Sequence, residues 1–167
     1  MEIIISLTSL AIALIALITS IYFYCKQFRP ILSVMVKTYK DGNKARAYNL
    51  EIINCGSLPA INIKLSCNDE DLQKAISENA IPDDKKRFLE CFSEQTEILR
   101  LHNGSTTSCS FGMTREVNTF WNYMAIIPVT ISYQHPYSKK KRYTDNINIQ
   151  IRDSNSFTYG CWDSKKN

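Results

Sequence analysis

Glycine is scarce, five in 167 residues, and none stands in a loop that could cradle a phosphate. There is no G-x-x-x-x-G-K and no G-x-G-x-x-G. Histidine is scarcer still. His102 and His135 are the only two, and neither has a nucleophile, a paired carboxylate or a glycine-rich elbow beside it in sequence. The six cysteines contain no C-x-x-C, so a zinc site would have to be assembled from scattered ligands. Asp83, Asp84 and Glu90 fall in a mixed-charge run that reads as a solvated face. These absences exclude the usual phosphate, dinucleotide and zinc signatures. They predict a non-enzymatic protein with no cofactor and no metal.

Charge is also missing, from one place above all: Ile3 to Tyr24 carries none. The polar side chains inside that run are Ser6, Thr8, Ser9, Thr19 and Ser20, whose hydroxyls bond back to helical carbonyls. About 20 apolar helical residues span a hydrocarbon core of about 30 Å, so the run predicts a transmembrane helix. A secretory signal would need a positive start, a shorter apolar core and a small-x-small cleavage site. This chain begins Met1-Glu2 and places Tyr22, Phe23 and Tyr24 where cleavage would fall. The same aromatics ahead of Cys25 disfavour a lipoprotein anchor, and they suit an interfacial belt.

Lys and Arg are lacking before the helix and frequent after it, where Lys26, Arg29, Lys37, Lys40 and Lys44 stand. That bias predicts a cytoplasmic soluble part, with Tyr22, Phe23, Tyr24, Lys26 and Arg29 at the membrane interface. Cys25, Cys55, Cys67, Cys91, Cys109 and Cys161 show no dense disulfide spacing, and several lie in apolar strand patterns where a free thiol acts as a small hydrophobe.

The remainder of the chain reads as strands. Pro30 ends the helix, and Ile31–Tyr39 is β-branched and aromatic. Asp41-Gly42-Asn43 is a turn leading to a second strand, Ala45–Asn54. After a loop, Ile61, Ile63, Leu65 and Cys67 alternate with Asn62, Lys64 and Ser66, predicting those four as the inward face. Asn68 can cap a short helix to Ser77, and a helical turn is expected around Lys85–Phe92. Ile98–Leu101, Thr106–Phe111, Ile127–Tyr133 and Arg142–Ile151 complete the strands, with Asn103-Gly104 a turn and a polar turn holding Pro136 and Lys139. Seven or so short strands predict a mainly β fold: an antiparallel immunoglobulin-like sandwich with one or two short helices. The expected organisation is residues 1–28 for the transmembrane helix and juxtamembrane segment, 29–153 for the sandwich and 154–167 for a polar tail.

The order of motifs carries a resemblance. Arg29-Pro30 is followed by Asn54-Cys55-Gly56-Ser57-Leu58-Pro59-Ala60 and later by Val129-Thr130-Ile131-Ser132-Tyr133. This resembles uncharacterised bacterial single-pass membrane proteins with an immunoglobulin-like or fibronectin-like sandwich, and it implies that fold and no catalytic residues. In the Asn54–Ala60 step, Gly56 is expected to allow a positive φ, and Pro59 to block ladder pairing so that the strand changes partner.

Two features invite a functional reading. Lys139, Lys140, Lys141 and Arg142 form the one concentrated charge run; it reads either as a solvated hairpin tip or as a contact for anionic lipid. Phe120, Trp121 and Tyr123 read either as core or as an exposed aromatic contact for a protein partner. A net charge of +4 with no nucleic-acid motif predicts no nucleic-acid partner. The expected function is a membrane-anchored interaction module on the cytoplasmic face. One alternative is a membrane effector or sensor, for example in anti-phage defence. Its β domain would bind a ligand or partner and cluster the helices, a homo-oligomer through packing at Ser9, Ala13 and Ala16. Another is an exported envelope domain.

Overall fold

The chain is described from a computed structural model covering residues 2–41, 45–115, 118–122 and 124–151. Gly42 and Asn43 of the predicted turn, Tyr123 and the tail 154–167 lie outside the described residues.

Helix α1 runs Glu2–Gln27. Within it Ile3–Tyr24 is long and apolar enough to cross a membrane, and none of it is buried against the rest of the chain. At 1.5 Å per residue these 22 residues reach about 33 Å. The hydroxyls behave as an apolar setting requires: Thr8 donates to the Ile5 carbonyl, Thr19 to Ile15 and Ser20 to Ala16.

Among the described residues seven strands make up the rest of the framework: β1 (Leu32–Asp41), β2 (Ala45–Asn54), β3 (Ala60–Cys67), β4 (Ile98–Leu101), β5 (Thr106–Arg115), β6 (Ile126–His135) and β7 (Ser138–Gln150). They form two antiparallel sheets, one in the order β1-β2-β5 and the other β4-β3-β6-β7. Between β3 and β4 lie α2 (Asp69–Ala75), α3 (Pro82–Leu89) and a 3₁₀ turn, Glu90–Phe92. Asn68 caps α2 by accepting the Glu70 N–H at 3.2 Å, as expected of that residue type. The predicted turn around Lys85–Phe92 is real and extends back to Pro82, which suits a first helical turn because its missing N–H would have no partner there.

The period-2 pattern turns one side of each strand into the core. Leu32, Val34, Leu50 and Ile52 from one sheet meet Ile63, Leu65, Ile127, Val129, Ile131, Tyr133 and Ile149 from the other in a single cluster. In β3 the predicted alternation slips. Asn62 takes φ 52°, the register with β6 shifts between Ile61 and Lys64, and the parity changes. Ala60 is therefore buried with Ile63 and Leu65, while Ile61 and Cys67 are only half-buried. Short polar Asn tolerates the left-handed basin, and its amide donates to the Gln134 side chain at 2.9 Å.

β2 and β3 belong to opposite sheets, so the Asn54–Ala60 step changes sheet as its proline suggests. Gly56 serves it differently from expectation. Among the described residues Gly104 is the one glycine with positive φ. At Gly56 a β-carbon would collide with the Arg29 carbonyl oxygen and the Ile31 nitrogen. The requirement there is close backbone approach.

Candidate functional site

Two places combine specific chemistry with a defined shape: the junction between helix and sandwich, and a pocket between the sheets.

The junction is built around Asn54, the one buried polar residue among those described, with no exposed surface. Its side-chain oxygen accepts the N–H of Gly56 at 3.0 Å and of Ile31 at 3.4 Å. Its amide donates to the carbonyls of Leu58 at 2.8 Å and Leu101 at 3.1 Å. The backbone adds Gly104 N–H to Asn54 O and Asn54 N–H to Ser105 O. One residue thus ties the start of β1, the sheet-crossing loop, the end of β4 and the turn before β5. Beside it Pro30 is buried, Cys55 N–H donates to Ile31 O, and Ser57 N–H donates to Arg29 O. The Tyr133 hydroxyl lies 2.8 Å from an Asp145 carboxylate oxygen and 3.4 Å from the Pro30 carbonyl; its single proton goes to the nearer, charged acceptor. Burial and that carboxylate push the Tyr133 phenol well above its ordinary pKa of 10.

The pocket, about 420 Å³, lies between the sheets where β4 and β5 part. Leu50, Ile52, Ile63, Leu65 and Ile98 give it apolar walls; exposed Arg87 and Glu90 stand at its rim. Cys91 and Cys109 line it together. The Cys91 thiol donates to the Phe88 carbonyl at 3.7 Å, and the Cys109 thiol donates to the Leu50 carbonyl at 4.0 Å. The neighbouring Cys109 thiol and burial push Cys91 up; the neighbouring Cys91 thiol pulls Cys109 down against its own burial. The volume falls in the range that holds small ligands, and the lining suits an apolar body with a polar end at the rim.

Phe120 and Trp121 are core. They are 3% and 2% exposed, in contact with each other and with Phe88 and Phe111, and the Trp121 indole N–H donates to the Phe111 carbonyl. They are closed to a partner, because residues 118–122 fold in against β5 and the end of α2. Tyr22, Phe23, Tyr24, Lys26 and Arg29 are exposed at the end of α1 and just after it. Lys140, Lys141 and Arg142 are exposed as well, but on β7, beyond a tight turn at Pro136–Tyr137, and not in a loop; nothing is described of the Lys139 side chain. His135 accepts the Tyr137 N–H at 3.2 Å and lies beside the Tyr143 ring. His102 is exposed.

Sequence reasoning missed the pairing of Cys91 with Cys109, which carries no local spacing signal. It also missed the role of Asn54, although the motif beginning there was visible.

A family model described as "Domain of unknown function (DUF8453)" matches residues 3–155 of the chain. No curated protein matches it.

Proposed function

The chain belongs to the DUF8453 family, and from the geometry of its junction we propose that it is a membrane-anchored, non-enzymatic interaction module that holds its sandwich at the cytoplasmic face. The observation that carries this reading is the absence of slack between anchor and domain. α1 ends at Gln27, Pro30 is already buried, and Arg29 O, Ile31 N and Ile31 O are all hydrogen-bonded to residues 54–57. A chain whose soluble part worked freely in solution has no use for so short a joint. The exposed Tyr22, Phe23, Tyr24, Lys26 and Arg29 support an interface at that point and an inward orientation of the sandwich. Strand order β1-β2-β5 against β4-β3-β6-β7 supports the immunoglobulin-like class of sandwich, whose edges and loops commonly carry binding.

Exposed Cys55 provides the test. A membrane-impermeant maleimide added to intact expressing cells leaves Cys55 unmodified and labels it after lysis. Labelling in intact cells overturns the inward orientation and favours an exported domain. Release of the chain from membranes by alkaline carbonate overturns the anchor.

The pocket favours a second reading, a sensor in which ligand binding between the sheets drives clustering of the helices. On that reading, overexpression permeabilises cells to a small dye, and a Leu50→Trp change that fills the pocket alters the effect. A membrane that stays sealed at high expression removes the clustering step.

A further inference from the structure

The β6–β7 turn lies at the end of the sandwich where the helix attaches. Tyr133, two residues before the end of β6, reaches Pro30, and Gln134 pairs with Ile61 next to the sheet-crossing loop. Four segments make up this end: 29–32, 55–59, 102–105 and 135–142. Together they hold five Lys and Arg residues and no Asp or Glu. The acidic first turn of α2, Asp69 to Asp71, comes after the far end of β3. These segments give the helix end of the domain a basic pole, with the Asp145 carboxylate beside Tyr133 as the acidic group next to it.

The turn itself has a mixed tip. Tyr137 is 81% exposed, the highest value among the exposed large hydrophobic side chains described. Just after it stand exposed Lys140, Lys141 and Arg142, with Lys141 over the Tyr143 ring at 5.6 Å. A tyrosine with basic neighbours is the composition found where protein meets headgroups: the ring enters the interface and the cations meet phosphate.

We propose that the β6–β7 turn is a second membrane contact, in which Tyr137 enters the interface and Lys140, Lys141 and Arg142 bind anionic phospholipid headgroups of the bilayer that α1 crosses. This rests on α1 spanning the membrane. The joint from Gln27 to Pro30 spans at most about 10 Å, which is near the Debye length at physiological salt, so the basic pole stays within electrostatic reach of the surface. Each basic residue close to an anionic surface contributes about fivefold to contact, and three together on the order of a hundredfold. The turn thus adds a second contact to the one the helix makes, on the same end of the domain.

The full chain carrying Tyr137→Trp is placed in lipid nanodiscs of brominated phosphatidylcholine, with or without brominated phosphatidylglycerol. Tryptophan quenching is compared with that of the parent chain. The expected result is additional quenching only in the anionic discs. It is lost in the Lys140→Gln/Lys141→Gln/Arg142→Gln background and falls several-fold at about 0.5 M salt. Equal quenching in the two lipids, none in either, or no effect of the triple change overturns the proposal, including the case in which the turn serves an acidic protein or nucleic acid instead. A matching urea midpoint for the triple variant shows that it folds. Failure of the helix reading looks different: the chain then enters discs of neither composition.

Discussion

The Trp121 indole lies 2.6 Å from the point where a β-carbon on residue 112 would stand. Gly112 on β5 is therefore the floor on which the aromatic cover rests, and the hydrogen bond from Trp121 to Phe111 fixes the ring over it at 2.6 Å. Gly112→Ala forces the indole or the strand to move. The expected cost is about 1–3 kcal/mol, the range for overpacking a close-packed core. It is read as a lower urea midpoint with an altered tryptophan emission spectrum; an unchanged midpoint would contradict the packing described.

Asn54→Ala removes two donors and an acceptor from a site with no water access. It leaves Gly56 N–H and the carbonyls of Leu58 and Leu101 without their side-chain partner. A loss of about 2–4 kcal/mol is expected. Asn54→Asp keeps the acceptor and loses both donors while burying a charge, so it is no better tolerated. Thermal melts of both variants in detergent check this.

Cys109 is expected to alkylate faster than Cys91 at neutral pH, since the neighbouring Cys91 thiol favours its thiolate. Cys91→Ala removes that thiol and leaves burial, which raises the pKa, so Cys109 alkylation slows. Mass spectrometry of iodoacetamide-treated native protein measures both rates. Faster alkylation of Cys109 in the variant would show that access, not the thiol pair, controls the site.

Partial burial first, and Lys141 second, hold His135 below its ordinary pKa of 6.5. A depressed base favours the folded state when neutral. Its share of stability is present above pH 6.5 and is lost as pH falls through the folded value. Lys141→Gln removes one of the two causes, so the His135 midpoint followed by NMR moves upward. A downward or absent shift would place Lys141 too far away to act.

The strand ladder was legible because alternation and turn residues are local signals: Ala45–Asn54, Ile98–Leu101 and the inward Ile149 and Ile151 lie where the pattern puts them. Where a single residue left the regular backbone, the pattern misled. Asn62 in the left-handed basin reversed the face of Ile61, and no periodicity reports a bulge. Asn54 and Gly56 were visible as a motif, but their work is done on Arg29–Ile31, 23 or more residues away, and such contacts have no sequence period. Composition likewise left Phe120 and Trp121 open between core and surface, because an aromatic pair suits both; the covering segment after β5 decided it.

The joint at Pro30 has a mechanical meaning. A flexible linker lets a domain swivel and absorbs any turn of its anchor. Here Phe28 N–H donates to Tyr24 O and Arg29 N–H to Gln27 O, while Arg29 O and Ile31 O accept from Ser57 N–H and Cys55 N–H, with the Ser57 hydroxyl also 3.4 Å from Gln27 O. A rotation of the helix about its axis is passed to β1 as torque. Helix and sheet are coupled there by hydrogen bonds on both sides of Pro30, so a turn of one is felt by the other.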